Sequence, residues 1–293
     1  MLQAVRPAQS LSGPVIARLR WQVTHFYRIR TKNQALGFIQ DLGFCYAFTQ
    51  GPGNLPYLFE VLATRSDDRR WSWAWDWKEA LPSEKRVFYG RVLGRKPTFI
   101  SMEFLPSFFA LTGNVGEPDD YRCLYDAGRL SHLARAVYEL AAARGPLTTR
   151  QIRAAVEPNR RGSSAALLRA LADLQARFLL ARTGETGDNP GNYAYVWDLF
   201  ARWLPGVVAR AAKISHRSAA STVLERYVAI AGAPRPEAAA ALFEWPPSIL
   251  AAAVGDLLCR GAIAVVRGPE GEDRLLAAPR PRRSAGPAPT GPS

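Results

Sequence analysis

The chain has 293 residues, a formal net charge of +13 and 48% hydrophobic residues, enough to core one large domain or two to three small ones and too much for disorder throughout. Met1 to Arg30 carries Arg6, Arg18, Arg20 and Arg28 without an apolar run of signal-peptide length, and the most apolar stretch, Ile249 to Val266, is broken by Asp256 and Arg260, which argues against a membrane span. Cys45, Cys123 and Cys259 are odd in number and far apart, so reduced thiols and a cytoplasmic protein are expected.

The charge is unevenly placed. Residues 1 to 40 hold six basic and no acidic residues, residues 129 to 183 hold ten basic and three acidic, and the stretches 41 to 128 and 215 to 278 are close to neutral. A polyanionic partner reached through the N-terminal segment and one central module fits this distribution.

In chain order, Arg18, Arg20, Arg28, Arg30 and Lys32 are interleaved with Trp21, Phe26 and Tyr27. They read either as a basic arm whose aromatics stack on bases or as a helix with a buried aromatic face and solvated arginines. Thr31 to Phe44 reads as a helix stopped by Gly43, and Gln50 to Pro56 as a loop. Trp71, Trp73, Trp75 and Trp77 alternate at period two, which by itself suggests a strand. An aromatic-rich helical stretch, Phe99 to Leu111, is expected after Pro97.

From Ser131 onward the punctuation is clearer. Ser131 can cap a helix carrying Leu133, Val137 and Leu140, and Thr148 with Gln151 forms a capping-box pattern ahead of a second helix, Thr149 to Val156. Leu167, Leu171 and Leu174 mark a third helix, which runs into an apolar strand, a Gly-rich turn and a second strand, Tyr193 to Trp197. The same order recurs in Val223 to Ile230, Pro236 to Leu242, Pro247 to Leu258 and a hairpin ending at Ala277, with Asp173, Leu174 and Arg177 aligned over Asp256, Leu257 and Arg260. The expected fold is mainly α with small β-hairpin wings, as tandem winged helix-turn-helix modules. The boundaries are 1–128 for a winged-helix-like, Trp-rich N-terminal module, 129–205 for a basic winged helix, 206–278 for a second one and 279–293 for a disordered basic Pro-rich tail.

Ordered blocks NLPYLFE (54 to 60), WDWKEALP (75 to 82), FYGRVLGRKPTFISMEFLP (88 to 106), GRLS (128 to 131) and YVWDLFARWLP (195 to 205) resemble the AlkZ-related branch of the winged-helix crosslink-repair DNA glycosylases. The resemblance implies duplex DNA as partner and, in the active relatives, hydrolysis of the N-glycosidic bond of bulky or crosslinked alkylpurines. Those enzymes carry a Gln-x-Gln or Gln-x-Asp pair for the attacking water and the developing sugar charge, whereas the corresponding helix here offers Gln40 followed directly by Asp41. Adjacent helical residues point about 100° apart, so this pair cannot share a face. The relatives also continue into a C-terminal β-barrel, while this sequence passes from its second hairpin into the tail.

At the head of the third helix Arg160, Arg161, Ser163, Ser164 and Arg169 suit phosphate, since free N–H groups and the helix dipole add to the arginines. Arg177 and Arg182, read on the following strand, are further DNA candidates, and the second module, acidic at Glu237, Glu244 and Glu270 to Asp273, reads as a packing or dimerisation copy. The Trp cluster reads as core or as a platform for an extruded base, with Glu60, Asp76, Glu79 and Glu103 the nearest carboxylates. His and Cys spacing suggests no zinc site, and no Gly-rich phosphate loop points to a nucleotide cofactor. The expectation is a DNA-binding protein similar to repair glycosylases. An active glycosylase using Gln40 and Asp41, and a winged-helix interaction scaffold or transcription regulator, are its alternatives.

Overall fold

The computed structural model describes residues 10–158, 164–187 and 193–278. It is mainly helical with small antiparallel sheets. The expected disordered tail, and Arg160, Arg161 and Ser163 of the third-helix cluster, lie outside the described residues.

Helix α1 (Gly13–Thr24) has Pro14 in its first turn, where a missing N–H costs nothing. Helix α2 (Lys32–Leu42) is capped by Thr31, whose hydroxyl accepts from the Gln34 N–H at 3.3 Å. Gly43 ends it at φ 81°, and a Cβ there would meet the Phe104 ring at 2.8 Å, so the turn into strand β1 (Phe44–Tyr46) requires glycine.

The tryptophan stretch is a helix, α3 (Asp67–Ser83), and not a strand. Ser66 accepts from the Arg69 N–H, and Asp67 and Asp68 sit in the first turn, where the dipole favours carboxylates. Two residues advance a helix by about 200°, so alternation at period two places successive tryptophans on opposite faces. Trp71 and Trp75 are about half exposed, while Trp73 stacks on buried Trp77 with ring centroids 5.6 Å apart.

The expected helix Phe99 to Leu111 is also corrected. Strand β2 (Val87–Arg91) pairs with β3 (Pro97–Ser101), and only then does the short helix α4 (Leu105–Ala110) begin. Strand β3 is central in the order β1-β3-β2, so Phe99 and Ile100 are both buried. A strand covered on both faces loses its polar alternation and reads like a buried helix.

The next region follows the expected order. After α5 (Tyr121–Asp126), α6 (His132–Arg144) starts at Ser131, whose hydroxyl accepts from the Ala134 N–H at 3.1 Å. Strand β4 (Leu147–Thr148) leads into α7 (Thr149–Val156), where Thr148 and Gln151 close both bonds of the capping box. Helix α8 (Ala165–Ala176) precedes β5 (Leu180–Thr186) and β6 (Ala194–Leu199), with β6 between β4 and β5. The two-residue β4 was not foreseen.

Helices α9 (Phe200–Trp203) and α10 (Pro205–Ala211) connect to α11 (His216–Ala231), α12 (Pro236–Phe243) and α13 (Pro247–Cys259). Strands β7 (Ile263–Arg267) and β8 (Asp273–Ala277) form a hairpin, and Ser10 bridges to Arg267. Helix α11 begins seven residues before the expected Val223 because Ser215 caps it.

Two cores result. One lies among α5 to α8 and β5 to β6, with Val137, Ile152, Leu171 and Leu174 at its centre. The other joins the first sheet to the C-terminal helices: Phe44 and Phe108 lie 6.2 and 6.3 Å from Phe243, and Tyr227 5.4 Å from it. Among the described residues no helix is long and apolar enough to cross a membrane.

Candidate nucleic-acid interface

Gln175 of α8 bonds the backbone of β2. Buried Gln175 accepts from the Arg91 N–H at 3.0 Å and donates to the Tyr89 carbonyl at 3.3 Å, satisfying two backbone groups beyond the sheet edge. Between β2, α8 and the β5–β6 hairpin lies a cleft of about 640 Å³. Arg91, Arg95 and Arg169 line it together with Tyr89, Leu168, Tyr195 and Trp197, and Leu168 is 52% exposed. Cationic groups beside aromatic faces are the combination that holds a nucleic-acid backbone and its bases.

Behind the cleft lies a buried charge network between α3 and the β5–β6 hairpin. Arg182 Nη2 donates to Glu79 Oε2 at 2.8 Å and to the Lys78 carbonyl at 2.9 Å, with its guanidinium between the rings of Tyr89 and Tyr195. Lys78 pairs with Glu79 and places its ammonium 3.5 Å from the Trp75 ring centroid. Burial, reinforced by the Arg182 charge and opposed by Glu185, pushes the Lys78 amine down to about 7. The Tyr193 hydroxyl lies 2.8 Å from Glu79 Oε1 and 2.8 Å from Glu185 Oε2, and burial pushes its phenol well above the usual range.

The residues expected from the sequence are dispersed. Arg18 and Arg30 are exposed on and after α1, but Arg20 is bound to Glu60 at 2.7 Å and to the Asn54 carbonyl, and Arg28 donates to the His25 and Tyr27 carbonyls. Lys32 pairs with Glu84. Trp21 and Phe26 are 57% and 61% exposed, and Trp21 stacks on His25 at 3.9 Å, so they do not form the buried face of α1. Ser164 is buried as the α8 cap, accepting from the Leu167 N–H and donating to Glu157. Arg169 and Arg182 both line the cleft, but Arg182 is only 5% exposed and braces the hairpin. Arg177 is the C-cap of α8 and not a strand residue, because β5 starts at Leu180.

Gln40 and Asp41 lie on the solvent side of the last turn of α2, flanked by buried Ile39 and Leu42. Asp41 Oδ2 accepts from the Tyr27 hydroxyl at 2.9 Å, and neither residue lines the cleft. Of the other carboxylates, Glu79 is saturated by Lys78, Arg182 and Tyr193, and Glu60 by Arg20 and the Tyr57 N–H.

A family model described as AlkZ related matches residues 29–244. The chain belongs to the AlkZ-related family. Among solved structures it is similar to the Streptomyces sahachiroi DNA glycosylase AlkZ, at 18% identity and a TM-score of 0.54, over 92% of this chain and 71% of that one. At that identity the likeness is one of fold. Among curated proteins nothing matches. The AlkZ-related match contains every residue of the cleft and of the network behind it, and leaves β7 and β8 outside.

Sequence reasoning missed Tyr89, Arg91, Arg95 and Lys78 as parts of a site. The WDWKEALP and FYGRVLGRKP blocks that carry the AlkZ-related resemblance contain all four, so the signal was present as a family likeness without a chemical assignment.

Proposed function

We propose that this protein is a duplex-DNA-binding relative of the repair glycosylases, engaging DNA through the α8 face and the β5–β6 hairpin as a winged helix. In this reading 129–205 is the DNA-reading module and 206–278 a second winged helix that serves packing, as the core shared by Phe44, Phe108, Tyr227 and Phe243 supports. The observation that carries it is the cleft in which Arg91 and Arg169 flank Tyr195 and exposed Leu168. Arginines at such a rim position phosphates, and the aromatic wall accommodates bases.

Hydrolysis by Gln40 and Asp41 is not part of the proposal. The two side chains diverge on one helix, and the Asp41 carboxylate already accepts a hydrogen bond from the Tyr27 hydroxyl. The test is fluorescence anisotropy with a labelled duplex over a salt series, beside an abasic-site assay on duplex carrying an N7-alkylguanine. Binding that weakens steeply with salt is expected, with Arg91→Glu and Arg169→Glu each lowering the slope magnitude by about one. Unchanged affinity in both variants would overturn the interface. Strand scission at abasic sites that disappears in Asp41→Asn would restore the catalytic reading.

A further inference from the structure

We infer that a second cavity, at the junction of α8, the 93–95 turn and the α12–α13 turn, is a binding site for a phosphate-bearing nucleotide. Its volume is about 300 Å³, at the lower end of the range for small-ligand sites. Arg95 lines both this cavity and the cleft, whereas Arg129, Arg177 and the aromatic wall belong to this cavity alone, so the inference does not depend on the DNA-binding reading.

Three guanidinium groups meet in its wall, those of Arg95, Arg129 and Arg177. Arg95 is engaged by the two nearby carboxylates, Asp173 and Glu244, the latter at 3.4 Å. Three positive and two negative charges leave one positive charge uncompensated in a half-buried site. Burial disfavours the charged form of Arg177, and so do the Arg95 and Arg129 charges. Its Nη2 donates to the Arg129 carbonyl at 3.2 Å, but its Nε is buried with no hydrogen-bond partner among the described residues. A bound anion would supply the missing negative charge.

The remaining wall is largely apolar, with Thr112 at its polar edge. Phe243 and Trp245 stack at 4.7 Å, with Phe108 and Phe178 beside them. Arg95, Phe178 and Glu244 hold left-handed backbone at φ 58°, 53° and 54°, and all three line this one cavity. Side-chain-bearing residues in that region persist where their surroundings hold them, and they gather at ligand sites. Guanidinium groups facing an aromatic wall match a phosphate joined to a planar base.

A free mononucleotide and the 5′-phosphorylated end of a strand present the same chemistry. Calorimetric titration of the full chain with 5′-AMP, inorganic phosphate, and a short oligonucleotide with and without a 5′-phosphate separates them. Saturable AMP binding, weakened about tenfold or more in Arg177→Gln and in Trp245→Ala, is expected and identifies the free nucleotide. Binding of the phosphorylated oligonucleotide alone, with the same dependence on Arg177, supports the site with a strand end as its source. Absence of binding to the wild-type chain at millimolar ligand, or equal affinity in a folded Arg177→Gln variant, would overturn the site. Inorganic phosphate binding as tightly as AMP would overturn the role of the aromatic wall. Arg129→Gln provides the same readout should Arg177→Gln fail to fold, and near-wild-type duplex affinity in either variant keeps this site separate from the cleft.

Discussion

Arg182 of the β5–β6 hairpin and Glu79 of the tryptophan helix form an ion pair of 2.8 Å across the boundary between the two cores, with side chains only 5% and 12% exposed. The hairpin is thereby fixed to the N-terminal part of the chain. In the proposed complex a wing held this way would meet DNA in a set orientation relative to α8, without an ordering step on binding.

Removing the charge of Glu79 leaves Lys78 and Arg182 buried without their counter-ion. Glu79→Gln is expected to cost about 3 kcal/mol, the usual consequence of orphaning one side of a buried pair. Urea unfolding checks it, and a loss below about 1 kcal/mol would mean that solvent reaches the network.

Lys78 gives a pH signature. Its folded amine titrates at about 7 against an ordinary 10.5, so between these values the unfolded chain binds more protons than the folded one. Stability therefore rises with pH across that window, and the burial penalty is at its full size below pH 7. Relative to Lys78→Met, the wild-type chain should gain stability from pH 7 to 9.5, measured by denaturant midpoints. Parallel curves would refute the depressed amine.

The four tryptophans should divide by face. Trp77 is buried against Trp73, so Trp77→Ala is expected to cost about 3 kcal/mol, whereas Trp71→Ala on the exposed face should cost under about 1 kcal/mol. Equal losses at the two positions in thermal unfolding would contradict the helical arrangement.

Asp256 is held down to about 2, first by hydrogen bonding from Arg217, with Ser221 adding a second donor against an opposing burial effect. A depressed carboxylate stabilises the fold above its ordinary value of 3.8 and loses that contribution as pH falls toward 2. Asp256→Asn should flatten the stability profile in that acid interval and change little at pH 7 relative to Arg217→Gln. An unaltered acid limb would show that the pair does not persist in solution.

Local physics was legible wherever neighbours along the chain settle the outcome. The caps at Ser131 and Thr148 and the order of α6, α7, α8 and the hairpin follow from side chains that bond their own backbone within four residues, and the stop at Gly43 from a residue whose lack of a Cβ admits φ 81°. The basic character of 129–183 was equally local, and the block resemblance named the family that the match over 29–244 confirmed.

What tertiary structure decided was everything that depends on distant partners. Phe99 and Ile100 look helical in sequence and are strand because β1 and β2 pair with β3 along both its edges. Ser66 and the two aspartates are local signals for a helix, but which tryptophans it buries was decided by packing, Trp77 in the core and Trp71 half exposed against Phe48 and Phe59. Aligned Asp173 and Asp256 take different partners, Arg95 and Arg217, because the repeat preserves the helix while its surroundings differ. Arg20, Arg28 and Arg182 counted toward a basic surface until the fold supplied Glu60, backbone carbonyls and Glu79, whereas Arg91 and Arg169 remained at the cleft. The sequence determined that the chain is basic, helical and AlkZ-related, because composition and short-range bonding are local properties. Which arginines are left to meet a partner was decided by packing across separations of tens to more than a hundred residues, where burial and ion pairing consume charge that composition only counts.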